Sequence, residues 1–279
     1  MTSVILVSFY TGAPLFDSIA AVLRQEGVEL VIVDNGNPET VVSQLRDLAA
    51  KDTRVKLLTG HGNIGFGRAN NLGVAASRGD YLLILNPDCI LRDDVMAKLA
   101  AHAVTLEAPF MIGARILNED GSDQRGCRRE LLTPVTALVE ALHLGGLFPK
   151  YRLNRHEDAV PSALAPIPAI SGAFMFLPRR DYLRLGGFDE GYFLHVEDLD
   201  LCWRFREKAG GEIYFAPDVV ATHIGGTSEA ASDFIERHKA KGFSRYFYRN
   251  FAENTSFVLL AALDIAIWMR YFLRRCTRK

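Results

Sequence analysis

Three acidic residues stand close together in the second half of the sequence, with a spacing that suits proton transfer. Glu197, Asp198 and Asp200 follow the aromatic and glycine-rich residues 186–196. A helix beginning near Val196 would carry all three acids in its first turns, where the helix dipole favours carboxylates, so helix capping is the alternative role. Capping needs only one acid. Three acids beside aromatic side chains raise the pKa of at least one of them, which suits a general base acting on a hydroxyl group.

Polar residues also follow three apolar runs in the first half. Asp34 ends one run, a glycine-rich loop at 60–65 follows another, and Asn86 and Asp88 come after a third. In an open parallel sheet, ligands bind at the carboxyl ends of the strands, so one site could use all three segments. An acid at Asp34 would accept hydrogen bonds from a base or ribose, and a carboxylate at Asp88 would hold a divalent cation on a diphosphate. Turn and capping roles are the alternative for each acid.

The glycines at 60, 62 and 65 match the dinucleotide-binding fingerprint, which keeps a nicotinamide-dependent oxidoreductase open as a second hypothesis. That fingerprint normally follows the first strand of a nucleotide-binding unit, whereas here it follows the third. The first run ends at residues 8–12 without such a pattern. The loop and the next helix also carry more hydrogen-bonding side chains than a glycine turn requires, namely Asn63, Arg68, Asn70 and Asn71.

The elements that must position these groups alternate between strand and helix over residues 4–116. The apolar runs predict strands at 4–9, 30–33, 55–58 and 81–85, and the periodic segments predict helices at 14–25, 38–50, 65–76 and 93–105. The first run is too short for the apolar part of a signal peptide. We therefore predict an α/β fold with a Rossmann-like, mostly parallel central sheet and flanking helices.

A proline-rich segment at 125–168 interrupts this alternation and marks the boundary between two halves. Within it, Leu131, Val135, Leu138 and Leu142 recur at helical spacing. The predicted organisation is a first half at 1–115, a second half at 116–229, and a C-terminal helical segment at 230–279.

Composition narrows the class of protein. The 279 residues are 49% hydrophobic and carry a formal charge of -1, which excludes a disordered chain and bulk nucleic-acid binding. The four cysteines are scattered and form no CxxC pair, so we expect packing roles and a reducing compartment.

The C-terminal residues 256–273 are almost continuously apolar apart from Asp264 and Arg270, and four basic residues follow. The interrupting charges argue against a membrane span. An interfacial helix with a cationic end would hold the protein on the anionic cytoplasmic leaflet. A helix packed on the core, or a homodimer contact, is the alternative.

Together these motifs resemble the inverting family 2 glycosyltransferases, which have the GT-A fold, and especially the rhamnosyltransferase-like branch that builds bacterial cell-surface polysaccharides. The resemblance covers residues 4–226. It rests on VILVSFY at 4–10, VIVDN at 31–35, NIGFGRANN at 63–71, LNPD at 85–88, SGAFM at 171–175, and the run from GGFDE to EDLD at 186–200.

The resemblance implies that the half at 1–115 binds the nucleotide sugar and that the half at 116–229 binds the acceptor and carries the catalytic residues. It also implies roles for individual residues. Asp198 would be the catalytic base, and Glu197 beside it would be a second catalytic residue. Asn86 and Asp88 would stand in for the DXD motif, with asparagine at its first position, and His223 would join Asp88 at a Mg²⁺ or Mn²⁺ ion. Asp34 would contact the base of the donor. The remaining donor-binding residues implied are Ser8, Tyr10, Asn63, Phe66, Arg68 and Asn70.

The activity implied is metal-dependent, inverting transfer of a sugar from a dTDP- or UDP-sugar, with L-rhamnose from dTDP-rhamnose as the favoured donor. The acceptor would be a cell-surface glycan or a polyprenyl-diphosphate-linked sugar, reached from the cytoplasmic face of the inner membrane. The apolar residues 131–148 and the C-terminal helix both suit a lipid-linked acceptor. A catalytically silent GT-A scaffold is a third hypothesis.

Overall fold

The computed structural model describes residues 1–141, 144–225 and 232–277. Its strands are β1 (Thr2–Ser8), β2 (Val28–Asp34), β3 (Val55–Leu58), β4 (Tyr81–Leu85), β5 (Cys89–Leu91), β6 (Phe110–Leu117), β7 (Arg128–Arg129), β8 (Ala165–Pro166), β9 (Ala169–Ile170), β10 (Phe174–Pro178) and β11 (Glu212–His223). Its helices are α1 (Pro14–Leu23), α2 (Glu39–Lys51), α3 (Phe66–Ala76), α4 (Val95–Ala103), α5 (Pro134–Ala141), α6 (Arg179–Leu185), α7 (Glu197–Glu207), α8 (Ser232–Phe251) and α9 (Phe257–Thr277).

Among the described residues, nine strands form one central sheet in the order β3-β2-β1-β4-β10-β6-β11-β5, with β8 also paired to β11. The pairings between β3 and β4 through β2 and β1 are parallel, as the alternating strands and helices predict. The second part is mixed, because β10 runs antiparallel to both β4 and β6, and β5 runs antiparallel to β11. The sheet is therefore parallel at one side and mixed at the other.

The parallel strands are buried on both faces, which explains their continuous apolar sequences. In β1, Val4 and Leu6 pack in the cluster that contains Leu15 and Ile19 of α1. The alternate residue Ile5 packs in the cluster on the other face, which contains Val74 of α3. Helices thus cover both faces of the sheet at β1, and the strand ends are where a ligand can reach it.

The second half differs from the sequence prediction in the apolar segment at 131–142. Helix α5 spans Pro134–Ala141, so Leu131 precedes it, and Leu142 lies outside the described residues. The predicted boundary between 229 and 230 also lies outside them. Cys89, Cys127 and Cys202 are buried, in agreement with packing roles, and the side chain of Cys276 lies outside the described structure.

The C-terminal segment forms two helices that pack on each other. Ser244 of α8 hydrogen-bonds Asp264 of α9, and the Tyr271 hydroxyl donates to Asp233 at 3.2 Å. Asp264 therefore faces α8. A third apolar cluster joins this pair to α7 through residues such as Leu199 and Leu260. Within the described chain, no helix is long and apolar enough to cross a membrane.

Candidate active site

A cavity of about 340 Å³ opens at the carboxyl ends of β1, β2 and β4. Five of the residues singled out in the sequence line it: Asn63, Phe66, Asn86, Asp88 and His223. The other predicted site residues are not among those that line it, namely Ser8, Tyr10, Asp34, Arg68, Asn70, Glu197 and Asp198. The same cavity is bordered by residues that the sequence did not single out, including Asn35, His195 and Ile235. The strand ends therefore do bring separate motifs together.

Asp34 organises the turn after β2. Its carboxylate accepts hydrogen bonds from the backbone N–H of Gly36 and Asn37, from the Asn37 amide at 2.8 Å, and from the Thr59 hydroxyl at 2.5 Å. Burial by itself raises the pKa of Asp34, but these donors outweigh it and the pKa is lowered. Asp34 is therefore an ionised acid that fixes the shape of the turn beside the cavity.

Asn35 holds the glycine-rich loop against β2. Its amide donates to Asn63 Oδ1 at 2.9 Å, and its Oδ1 accepts the N–H of Ile64 at 3.0 Å. Ser8 and the backbone N–H of Tyr10 both donate to Asn37 Oδ1, so these two residues support the turn while their neighbours Phe9 and Thr11 line the cavity.

The N-terminus of α3 is covered by the loop before α7. Phe66 donates its backbone N–H to Phe193 O at 2.9 Å. Gly65 has a φ of +86°, and a Cβ there would lie 2.6 Å from the same carbonyl oxygen. A pyrophosphate bound at this helix end would have to displace Phe193. This contact argues against the hypothesis that the glycine pattern binds a dinucleotide.

Two other residues of the α3 motif point elsewhere. Arg68 approaches Glu190 at 3.5 Å with its side chain largely exposed, and the buried Asn70 amide donates to Phe66 O within the helix. Neither side chain lines the cavity.

Asp88 and His223 meet because of the register between β5 and β11. His223 pairs with Cys89 across these antiparallel strands, so its ring lies next to the residue before Cys89. The distance from His223 Nε2 to Asp88 Oδ1 is 3.0 Å, and Asn86 Nδ2 lies 3.2 Å from the same nitrogen. Residues 226–228 of the late histidine motif lie outside the described residues.

Gln124 sets the tautomer of His223. Its Nε2 donates to the backbone oxygen of His223 at 3.2 Å and to Asn118 Oδ1 at 3.1 Å, which fixes the orientation of the amide. Its Oε1 therefore faces His223 Nδ1 at 2.6 Å and accepts a hydrogen bond from it. In the neutral ring, the lone pair is left on Nε2, which is the atom beside Asp88.

The donor set fits a divalent cation that binds together with a diphosphate. Among the described residues, no group of three or more His, Cys, Asp or Glu could hold a metal by itself. One carboxylate and one imidazole nitrogen are nevertheless acceptable ligands for Mg²⁺ or Mn²⁺, and phosphate oxygens usually complete such sites.

The three acids of the motif at 197–200 point in different directions. Asp200 accepts hydrogen bonds from Arg204 at 2.6 Å and from Asn250 at 2.9 Å, so it is part of a buried structural network. Glu197 is buried, and its Oε2 has no hydrogen-bond partner within the described structure. Asp198 is held by Arg129 Nη2 at 2.7 Å and by the backbone N–H of Gly172 at 3.0 Å.

The pKa values of the two neighbouring acids are shifted in opposite directions. Burial and the charge of Asp198 raise the pKa of Glu197. Burial also acts to raise the pKa of Asp198, but the Arg129 guanidinium and the Gly172 N–H overcome it and lower that pKa. The predicted rise in pKa falls on Glu197, whereas the pKa of Asp198, the acid assigned as the base, is lowered. Asp198 stays ionised at neutral pH, the state that can accept a proton.

The loop 171–173 links Asp198 to the end of β4. Gly172 binds the Asp198 carboxylate, and the next carbonyl, Ala173 O, accepts the N–H of Asn86 at 3.0 Å. Adjacent residues thus connect the acid motif to the segment that carries Asp88. These contacts account for Gly172 and Ala173 of the SGAFM motif.

A strained turn precedes α7. His195 and Val196 have φ values of 67° and 74°, in the left-handed region that costs about 1–3 kcal/mol for each non-glycine residue. Helix α8 packs on this turn, and a Cβ at Gly242 would lie 3.1 Å from His195 O. Burial, and next the charge of Lys239, lower the pKa of His195 to about 4, so the ring that lines the cavity is neutral.

We expect Gly172→Ala to reduce turnover strongly. A Cβ at this position would lie 2.9 Å from Asp198 Cβ, so the carboxylate must move. A displacement of about 1 Å at a reacting group can cost about 100-fold in rate, so we expect a loss of kcat of about 10-fold to 100-fold, measured at saturating donor. Gly145→Ala is the matched control, because its Cβ would make only ordinary contacts with Arg152. Wild-type kcat in Gly172→Ala would refute the positioning role of this glycine.

A sequence model described as "Glycosyl transferase family 2" matches residues 3–160, more than half of the chain. The chain belongs to glycosyl transferase family 2. Rhamnosyltransferase WbbL of Escherichia coli K12 is 25% identical over 229 residues, which cover 70% of this chain and 83% of that protein. N-acetylglucosaminyl-diphospho-decaprenol L-rhamnosyltransferase of Mycobacterium tuberculosis is 27% identical over 263 residues, covering 85% and 81%. The protein is a glycosyltransferase.

Solved structures give the fold. GalNAc-T7 with UDP, GalNAc and Mn²⁺ matches with a TM-score of 0.65 and 17% identity over 88% of this chain and 47% of that longer chain. Mannosyltransferase PcManGT from Pyrobaculum calidifontis with GDP-Man and Mn²⁺ matches with a TM-score of 0.59 and 15% identity, over 95% and 68%. The family 2 chain has the GT-A fold, and at 88% and 95% of this chain the likeness extends beyond residue 160.

Proposed function

We propose that this glycosyltransferase is metal-dependent and inverting, and that it transfers L-rhamnose from dTDP-rhamnose to a cell-surface glycan or a polyprenyl-diphosphate-linked sugar. The observation that carries the proposal is Asp198, an acid kept ionised by Arg129 and Gly172. The loop 171–173 ties it to the segment of Asp88. A base and a diphosphate site joined in this way suit direct displacement at a sugar carbon.

The proposed reaction forms one bond and breaks one. The acceptor oxygen bonds to the anomeric carbon while the bond from that carbon to the diphosphate oxygen breaks, and Asp198 takes the hydroxyl proton. Attack from the face opposite the diphosphate inverts the configuration. Arg129 orients the carboxylate. A Mg²⁺ or Mn²⁺ ion held by Asp88 and His223 would offset the charge of the leaving diphosphate.

The relatives support the choice of sugar and acceptor. Both named relatives are rhamnosyltransferases, and the name of the mycobacterial protein specifies a diphospho-decaprenol acceptor. Both relatives, at 25% and 27% identity to this chain, are named for rhamnose transfer. The first donor to test is therefore dTDP-rhamnose.

Calorimetric titration with dTDP, UDP, GDP, dTDP-rhamnose, UDP-sugars and NAD, each with and without Mg²⁺, tests the proposal without an acceptor. We expect metal-dependent binding of dTDP and dTDP-rhamnose. Binding of NAD alone would restore the oxidoreductase hypothesis. The absence of any nucleotide binding would favour the catalytically silent scaffold.

Removal of the Asp88 carboxylate is expected to abolish the metal dependence of donor binding. Because Asp88 and His223 are the two side chains proposed to hold the ion, Asp88→Ala should bind dTDP equally weakly with and without Mg²⁺. Calorimetry measures this directly. Asp123→Ala is a suitable control, since Asp123 pairs with Arg115 at 2.7 Å and does not line the cavity. An unchanged metal response in Asp88→Ala would contradict the assignment.

Association with the cytoplasmic face of the membrane is also part of the proposal. Helix α9 buries one apolar side against α8 and exposes another, here called the outer face: Val258, Ile265, Met269, Phe272 and Leu273, each more than half exposed. Val135, Leu138, Leu147 and Phe148 add exposed apolar side chains in the segment after β7. An exposed apolar stripe on a helix that ends in arginines suits an anionic lipid surface.

Negatively charged side chains introduced on the outer face of α9 are expected to release the protein from membranes. The double variant Ile265→Glu/Met269→Glu should bind phosphatidylglycerol vesicles about tenfold more weakly or worse, because two exposed apolar side chains lose their burial in lipid. Cosedimentation measures the bound fraction. Val104→Glu is the control, since Val104 is exposed elsewhere. Retained vesicle binding, together with conversion of a dimer to a monomer, would assign the face to a homodimer contact.

A further inference from the structure

Apolar side chains from two separate segments meet at the cavity. Phe193 and Leu194 come from the loop before α7, and Phe234 and Ile235 come from the first turn of α8. We call these four residues the apolar wall. Their side chains carry no hydrogen-bonding atoms, unlike Asp88 and the other polar lining residues that follow the strands. The cavity therefore combines a polar region at the strand ends with an apolar one.

Three rings in mutual contact hold the apolar wall together. The ring centroids of Phe193 and Phe234 lie 5.5 Å apart with their planes at 86°, which is an edge-to-face contact. His238, one turn after Phe234, packs on both, with its ring centroid 4.7 Å from that of Phe193 and 4.3 Å from that of Phe234. Burial, and then the charges of Lys241 and Arg237, lower the pKa of His238, so this ring is uncharged at neutral pH. The two segments of the apolar wall therefore meet through uncharged rings.

Phe234 retains apolar surface that a ligand can cover. The residue is 41% exposed, although its ring contacts two others and lines the cavity. An exposed ring in a cavity gains free energy when an apolar group of a ligand removes it from water. The apolar wall is therefore suited to an apolar part of the bound substrate.

The position of the apolar wall along the chain favours the sugar of the donor over its nucleoside. The loop that carries Phe193 continues through His195, which also lines the cavity, to Asp198. The resemblance assigns the base of the donor to Asp34, whose neighbour Asn35 lines the cavity after β2. The sugar of a nucleotide donor lies on the opposite side of the diphosphate from the nucleoside, and its anomeric carbon must face the acceptor oxygen that Asp198 deprotonates. The sugar therefore belongs beside the loop before α7.

We propose that the apolar wall binds the donor sugar and selects a 6-deoxyhexose, because it receives the C6 methyl group and offers a C6 hydroxyl group no side-chain partner. This inference rests on the proposed function and names the residues that choose its donor. Burial of a methyl group is favourable, whereas a hydroxyl group placed against the same side chains loses its hydrogen bonds to water. Apolar pockets separate ligands that differ by one such group by roughly tenfold to hundredfold.

The matched ligands are dTDP-rhamnose and dTDP-L-mannose, because L-rhamnose is L-mannose without the hydroxyl group at C6. Calorimetric titration in Mg²⁺ measures the affinity of both, and of dTDP, for wild-type protein and for Phe234→Ala. Wild type should bind dTDP-rhamnose about tenfold more tightly than dTDP-L-mannose, or better. Phe234→Ala should bind dTDP-rhamnose about fivefold more weakly than wild type, or worse, and should lose most of the preference over dTDP-L-mannose. Its affinity for dTDP should stay within about twofold of wild type.

Tyr248→Ala is the matched control. Tyr248 is an aromatic residue of the same helix, 38% exposed, and is not among the residues that line the cavity. It should bind all three ligands as wild type does. Phe234→Leu keeps an apolar side chain, so it should retain most of the preference for dTDP-rhamnose. This second variant separates the loss of apolar surface from a disturbance of α8.

Three results would overturn the proposal. The first is equal affinity of wild type for dTDP-rhamnose and dTDP-L-mannose, and the second is unchanged affinity of Phe234→Ala for dTDP-rhamnose. The third is an equal loss of dTDP affinity in Phe234→Ala, which would place the nucleoside at the apolar wall. If wild type bound none of the three ligands, the proposed function would fail and this inference with it. If wild type bound dTDP-rhamnose but showed any of the three results, only the inference would fail.

Discussion

Asp198→Asn is expected to lower kcat for sugar transfer by about 10²-fold to 10⁴-fold, the usual contribution of a general base. Asparagine has nearly the same shape and can still accept hydrogen bonds from Arg129 and Gly172, but it cannot take a proton. Because the side chain acts on the acceptor hydroxyl, affinity for the donor should stay close to that of wild type. Steady-state transfer and calorimetry on the same preparation measure the two quantities.

Glu190→Gln provides the control for Asp198→Asn. Glu190 lies in the loop before α7, approaches Arg68 at 3.5 Å, and has a side chain that is about half exposed. Its substitution should change kcat only a few-fold. A fully active Asp198→Asn enzyme would remove Asp198 from the role of base.

Arg129→Gln is expected to change the pH dependence of transfer. In the wild-type chain, Arg129 lowers the pKa of Asp198 against the opposing effect of burial. Without the guanidinium, burial and the backbone donors remain, so the pKa of Asp198 rises. An adjacent arginine typically lowers a carboxyl pKa by about 1–3 units, so the acid limb of kcat/KM should move up by about that amount. Activity lost at mildly acidic pH should return in part at neutral pH.

The measurement is a pH profile of kcat/KM for Arg129→Gln, wild type and Arg115→Gln. Arg115→Gln also removes one arginine from an arginine–aspartate pair, the one with Asp123, but leaves Asp198 untouched. It should keep the wild-type acid limb. If Arg129→Gln loses activity equally at every pH, Arg129 does not act through the ionisation of Asp198.

Much of the fold follows from simple patterns in the sequence. Strands buried on both faces must be continuously apolar, which is why β1, β2 and β4 are evident as short runs. Polar residues directly after such runs must meet at one edge of the sheet, and the cavity lies at that edge. The place of β10 was not predictable, because its antiparallel entry between β4 and β6 depends on the path of the preceding hundred or so residues.

The candidate site was likewise predictable from the sequence only in part. The acid motif was evident from its spacing, but the separate directions of Glu197, Asp198 and Asp200 depend on partners far away in the sequence. Arg129, the partner of Asp198, lies 69 residues earlier in a proline-rich segment with no recognisable pattern. Gln124 and His195 were missed for a related reason, since an isolated polar residue gains its role only from strand register or a strained turn.

The proton magnetic resonance spectrum of the transfer product tests the central claim most directly. Wild-type enzyme would be given dTDP-rhamnose, Mg²⁺ and a short prenyl-diphosphate sugar, and the configuration at the transferred anomeric carbon would be compared with that of the donor. A single displacement assisted by Asp198 predicts the opposite configuration in the product. A product that retains the configuration of the donor would contradict the assignment of Asp198 as the base of an inverting glycosyltransferase.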